Sequence, residues 1–295
     1  MAGFGLVVLA AFCWAIDTLF RYPLISSGVS ALQIVFVEHL FLMVFSGYVL
    51  WKSRLMIWKM EFGHIFYFFL IGGFGSAIGT LAFTKAFSLL NPSYVILLQK
   101  LQPLVAISMA RFLLGEPISK KFLAWGSVCL LGGLLISFQD IFTGGPHHFE
   151  ISRNSLYGYG LVFLAVVSWG SATVFGKKLS MSGFDFKEIM AMRFFFGFAV
   201  LLPLFVGESD TSIFDAVVLG KIFLMALISG AVAMALYYKG LSRISARTCA
   251  IAEMFFPLCA VVINWVFLGK GLTEVQIVGG VLLVIGSTTI QIKNY

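Results

Sequence analysis

Six ionisable side chains, Asp17, Glu38, His39, Lys100, Arg193 and Glu253, stand inside long apolar runs of this 295-residue chain. Placing one such group in hydrocarbon costs about 2.5 to 3.5 kcal/mol on insertion scales, so these groups belong against a bundle interior or a wet cavity. There they bind a polar solute or carry a coupling proton, and Glu38 and Glu253 are the candidates for the proton. Trp14, three residues before Asp17, and its counterpart Trp169 add aromatic faces that suit a cationic or amphipathic ligand. Gln99, Gln102 and Pro103 fall near one face of one run at helical spacing, and Glu253, Pro257 and Asn264 do the same in another. A proline inside a helix deprives the carbonyl four residues back of its donor. Gln99 and Glu253 hold those positions, so each is expected to join a polar side chain to an open carbonyl.

Other chemistries find no residues to carry them. There is no HExxH, GxSxG or comparable catalytic constellation. Gly170 to Lys177 imitates a phosphate loop but has one residue too many between the glycines, and Lys178 where Ser or Thr belongs. Cys13, Cys129, Cys249 and Cys259 all lie in apolar runs without ligand spacing, and His147 and His148 stand together with no further ligand nearby. No enzyme activity, cofactor or metal is expected.

The elements that must position these groups are membrane helices. The chain is 60% hydrophobic and 11% charged, far from the composition of ordinary soluble domains. Apolar runs of membrane-crossing length occur at roughly 3–21, 31–50, 64–84, 93–114 and 121–139, then 157–176, 188–206, 219–239, 246–268 and 274–292. A shift of 154 residues aligns Lys85 with Lys239, Pro103 with Pro257 and Gly126 with Gly280; a shift of 155 aligns Trp14 with Trp169 and Glu38 with Arg193. The chain is therefore a duplication, with residues 1–140 and 156–295 as five-helix repeats and 141–155 as a polar linker. An odd number of spans per repeat sends the copies through the membrane in opposite directions, the inverted-repeat plan of secondary transporters. Lys and Arg are concentrated in alternate loops, including Lys52, Arg54, Lys120, Lys121, Lys177, Lys178, Arg243 and Arg247, which puts both termini in the cytoplasm. The net charge of +7 is thus an orientation signal rather than a nucleic-acid surface. Gly75 and Gly79 form a GxxxG read as a helix-packing face.

The stretch FLLGEPISKKFLAWGSVCLLGGLLIS at 112–137, with its echo VFLGKGLTEVQIVGGVLLVIGS at 266–287, resembles the end of an EamA repeat, and Trp169, Gly170 and Arg193 match the same pattern. Nearly the whole chain resembles the drug/metabolite transporter superfamily with two EamA-type domains. The resemblance implies ten helices around a central cavity, alternating access, and movement of small metabolites, amino acids or drugs. Glu38 departs from it, standing where the family usually has Arg.

The expectation is an all-α membrane protein of ten transmembrane helices, multi-pass in the inner (plasma) membrane. Its partners are a small-molecule substrate and the lipid bilayer, with no nucleic acid; the sequence leaves the oligomeric state open, a monomer included. Trp14, Asp17, Glu38, Gln99, Lys100, Gln102, Trp169, Arg193, Glu253 and Asn264 are the candidate substrate or coupling residues, and Pro103 and Pro257 the helix breaks. Glu38 is expected to pair with Lys100, and Arg193 with Glu253. The mixed charges favour a zwitterionic metabolite such as an amino acid, with Glu38 and Glu253 as the proton carriers, and the resemblance implies export. Glu38, Trp14 and Trp169 favour the alternative, uptake or exchange of an organic cation or nucleoside-like metabolite. A non-transporting receptor is the reading from outside transport.

Overall fold

The computed structural model describes residues 2–54, 60–90, 95, 99–115, 118–142, 153–208, 213, 215–253, 255–256, 259–260, 263, 266 and 274–293. Pro257 and Asn264 lie outside these residues, as do the side chains of Lys100 and Pro103. Among the described residues the regular structure is helical throughout. The helices are α1 (Ala2–Ser26), α2 (Ala31–Lys52), α3 (Phe62–Ala86), α4 (Gln102–Leu113), α5 (Lys120–Phe142), α6 (Arg153–Met181), α7 (Phe186–Phe205), α8 (Ala216–Leu241), α9 (Ala246–Ala252) and α10 (Glu274–Lys293). By length and apolar composition α1, α2, α3, α6, α7 and α8 can each cross a membrane.

Several helix starts follow from local chemistry. Asp185 caps α7 by accepting from the Lys187 amide at 2.9 Å, while Glu188 reaches back to the Asp185 amide at 3.0 Å. Asp215 accepts from the Val217 and Val218 amides to start α8, and the Ser245 hydroxyl accepts from the Thr248 amide to start α9.

α1 continues through Pro23 to Ser26, beyond the boundary near residue 21 expected from the apolar run. Arg21 consequently points from a helix into the bundle instead of closing a loop.

The described backbone changes helix type just before Pro103. A 3₁₀ turn at Gln99–Leu101 leads into α4, with Pro103 in its first turn. A proline is tolerated there because the first amides of a helix have no carbonyl to serve.

α3 and α8 are interrupted by π-helical segments, Leu70–Ile78 and Ala226–Val232. Shifted by 154, positions 70–78 become 224–232, so both interruptions occupy the same place in the sequence repeat.

α1 packs on α8, α2 on α7, α3 on α6 and α7, and α4 on α6 and α9. These helices enclose the polar interior, while α5 and α10 pack chiefly on each other. The GxxxG of α3 is the seam with α6. A Cβ on Gly75 would lie 2.6 Å from Ala172 Cβ, and one on Gly79 would lie 2.9 Å from Trp169 Nε1. The missing side chains let α3 approach closely enough to hold the Trp169 ring against its own residues.

Candidate functional site: a polar and aromatic cavity

The helices surround a cavity of about 170 Å³. Trp14, Asp17, Glu38, Gln99, Gln102, Trp169, Arg193 and Glu253 all line it, so the expected residues that the structure describes are brought together.

The first pole of the cavity is an ion triad. Asp17 and Arg21 are four residues apart on α1, which puts them one above the other on a single helical face. Arg21 Nε lies 2.6 Å from Asp17 Oδ2, and Arg21 Nη2 lies 2.8 Å from Glu38 Oε2 on α2. Arg21 Nη1 lies 3.4 Å from Thr84 Oγ1 on α3, and the Ser229 hydroxyl donates to Asp17 Oδ1 at 2.7 Å. The Arg21 and Glu38 side chains are each 6% exposed. Removing such charges from water is repaid only by close geometry and additional hydrogen bonds, and this triad has both. Glu38 therefore pairs with Arg21; the side chain of Lys100, its expected partner, lies outside the described residues. The i, i+4 spacing sets Arg21 beside Asp17 already in the sequence; its link to Glu38 was not expected, because the apolar run ends at Arg21.

The second pole is built from neutral donors. Gln102 Nε2 donates to Glu253 Oε2, Thr173 Oγ1 lies 3.3 Å from Glu253 Oε1, and Cys249 Sγ lies 3.7 Å from the same oxygen. Tyr237 donates its hydroxyl to Thr173 Oγ1 at 2.9 Å. The Glu253 carbonyl, expected to be open, accepts from the Phe256 amide at 3.1 Å, because a short i to i+3 turn at the end of α9 supplies the donor. Arg193, expected to pair with Glu253, instead donates through Nη1 to Tyr238 Oη at 3.0 Å. Arg193 Nε and the Gln99 carboxamide oxygen are buried without a partner among the described residues.

The two poles occupy related places in the duplication. The 155 shift carries Arg21 to Gly176 and Glu38 to Arg193, and the 154 shift carries Thr84 to Tyr238. In the first half Arg21 spans from α1 to Glu38 and Thr84. In the second half the absent side chain of Gly176 makes room for the Tyr238 ring, whose Cε1 would stand 2.9 Å from a Cβ there, and the Tyr238 hydroxyl holds Arg193.

The aromatic lining repeats in the same way. Trp14 packs on Tyr237 with ring centroids 5.4 Å apart, and Trp169 packs on Phe83 at 4.9 Å, both pairs tilted. The shifts that map Trp14 to Trp169 also map Phe83 to Tyr237, so the two contacts are counterparts. Each π segment also takes a contact from a ring nitrogen of another helix. Trp14 Nε1 donates to the Ser229 carbonyl at 3.1 Å within the α8 segment, and His39 Nε2 lies 3.0 Å from Ser76 Oγ within the α3 segment. A π turn exposes backbone acceptors that an α-helix would occupy, which is one reason such turns recur at functional sites.

Membrane-length helices enclosing a cavity of buried charges and paired aromatic rings define a multi-pass membrane transport protein rather than an enzyme. The chain belongs to the EamA-like transporter family, whose model matches residues 1–138 and 156–291. It is 34% identical over 298 aligned positions to "Riboflavin transporter ImpX" of Fusobacterium nucleatum subsp. nucleatum, covering 98% of this chain and 97% of that protein. It is 28% identical over 188 positions to "Uncharacterized transporter YoaV" of Bacillus subtilis, covering 62% of this chain and 61% of that one. A solved crystal structure only 13% identical superposes with a TM-score of 0.78 over 98% of this chain and 96% of its own, which marks a shared fold.

Proposed function

We propose that this transporter moves a planar aromatic heterocycle with polar substituents, of the riboflavin kind, across the plasma membrane. The observation that carries this reading is the pair of repeat-related aromatic contacts, Trp14 with Tyr237 and Trp169 with Phe83, lining one cavity. Flat π faces of this kind stack on flat heterocycles and contribute about 1 to 3 kcal/mol per stacked base in comparable sites. The full-length relative named for riboflavin supports the same ligand class.

In this reading two inverted five-helix repeats, residues 1–140 and 156–295 joined by linker 141–155, expose the cavity to each side in turn with both termini cytoplasmic. The matching π segments of α3 and α8 support the repeat. Asp17, Glu38, Gln102, Trp14, Trp169, Arg193 and Glu253 face the solute or hold the groups that do.

Purified protein in proteoliposomes tests the proposal: external riboflavin should enter the lumen faster than in protein-free vesicles. Riboflavin that neither crosses nor binds would reject it.

A second reading, export of a zwitterionic metabolite such as an amino acid with proton coupling, draws on Arg193 and Glu253. They carry opposite charges on one cavity, and neither has an ion-pair partner among the described residues. Amino acids that displace riboflavin or drive a pH change across the vesicle would favour it.

A further inference from the structure

The carboxylates of the cavity are not equivalent. Asp17 and Glu38 share the Arg21 guanidinium, with side chains 12% and 6% exposed, so their acceptor capacity is turned inward. Glu253 is different. Its described partners are the Gln102 amide, the Thr173 and Tyr237 hydroxyls and the Cys249 thiol, all neutral, and it is partly exposed where it lines the cavity. A carboxylate offers about four lone-pair sites across its two oxygens and donates nothing. At 3.7 Å the thiol is a weak donor. With long contacts to Thr173 and Cys249, no cation paired with it among the described residues and part of its surface open to the cavity, Glu253 is accessible to a donor that a solute brings.

The Gln99 carboxamide oxygen lines the same cavity and is buried without a partner among the described residues. A buried acceptor left unmatched is costly, and such groups in native structures call for an explanation. Among the described residues the cavity thus holds one unmatched carboxamide oxygen together with the accessible Glu253 carboxylate. A solute that satisfies them brings hydroxyl or N–H groups.

Glu253 also has a fixed position relative to the rings. Thr173 is four residues beyond Trp169 on α6, and its hydroxyl oxygen touches both Glu253 and the Tyr237 hydroxyl. Trp169 belongs to one aromatic pair and Tyr237 to the other. Thr173 thus joins the Glu253 carboxylate to a ring of one aromatic pair and stands one helical turn from a ring of the other.

Resting on the reading above, we propose that Glu253, seated by Gln102 and Thr173, is a subsite for the hydroxylated side chain of the transported heterocycle. The ring is held by aromatic faces, and the chain donates its hydroxyls to the Glu253 carboxylate. The subsite selects substituted heterocycles from bare rings.

The test compares riboflavin with lumiflavin, which has the same ring system and a methyl group in place of the hydroxylated chain. Binding to the purified full-length protein is read from flavin fluorescence. Wild type should bind riboflavin about ten-fold or more tightly than lumiflavin, as expected for the loss of hydrogen bonds to a charged acceptor. Glu253→Gln should remove most of that preference by weakening riboflavin while leaving lumiflavin unchanged. Glu253→Asp, which keeps the charge and withdraws it by one methylene, should fall between, and it serves if the glutamine variant does not fold. Equal affinity of wild type for the two flavins, or equal weakening of both by Glu253→Gln, overturns the subsite and leaves riboflavin transport standing. Binding of neither flavin by folded wild type overturns the subsite together with the reading on which it rests.

Discussion

Arg21 Nη2 stands 2.8 Å from Glu38 Oε2, and the same guanidinium also holds Asp17, so one cation on α1 serves two carboxylates on two helices. Removing the cation leaves both acids buried and unpaired. Arg21→Met should therefore lower unfolding stability by about 3 to 5 kcal/mol, the usual cost of breaking a buried pair from one side. Thermal unfolding in detergent measures it. Adding Asp17→Asn and Glu38→Gln to the same chain should recover much of the loss, and a triple variant no more stable than the single one would contradict the account.

Trp14 acts through both its ring and its N–H. Trp14→Phe retains an aromatic face toward Tyr237 but abandons the 3.1 Å bond to the Ser229 carbonyl. It should cost about 1 kcal/mol of stability and leave riboflavin affinity within a few-fold of wild type. Trp14→Ala loses the face as well, and affinity should fall by about five-fold to a hundred-fold. Titration of both variants with riboflavin separates the two contributions.

Tyr238→Phe isolates the hydroxyl that serves Arg193. With that bond gone, Arg193 Nη1 loses its described partner, Nε being unpartnered already. Stability should drop by at least about 1 to 3 kcal/mol, the range for stranding a buried donor, which is larger when the donor is charged. A variant as stable as wild type would mean that Arg193 finds another acceptor in the cavity.

Gly176→Ala places a methyl group where the Tyr238 ring already lies, with 2.9 Å between the new Cβ and Tyr238 Cε1. Displacing that ring should cost about 1 to 3 kcal/mol, as other overpacked cores do, and slow riboflavin movement in proteoliposomes. Gly5→Ala is the control, since a Cβ there meets nothing within 4 Å.

How far the sequence could be read depended on contrast with its surroundings. A charge in an apolar run is conspicuous, so Asp17, Glu38, Arg193 and Glu253 could all be picked out, as could Trp14 and Trp169 through the repeat. The partners of the charges were not legible, because pairing depends on helix rotation and on where each helix ends. Arg21 was taken for the end of a span, yet α1 carries it inward by running on through Pro23. Phe83 and Tyr237 escaped notice for the opposite reason: in a chain that is 16% aromatic, one more ring draws no attention until its neighbour is known. The π segments left no compositional mark, since their extra residue per turn is a property of the hydrogen-bond ladder rather than of residue type.

Those two segments also set a rotational phase. Everything C-terminal to Leu70–Ile78 and Ala226–Val232, including Phe83 with Thr84 and Tyr237 with Tyr238, is oriented by a wider turn upstream. In a helix of 3.6 residues per turn, one residue corresponds to about 100° of azimuth. Excising a single residue from either segment would swing the ring and its adjoining hydroxyl out of alignment together, so indels at these two places should be far less tolerated than most nearby substitutions.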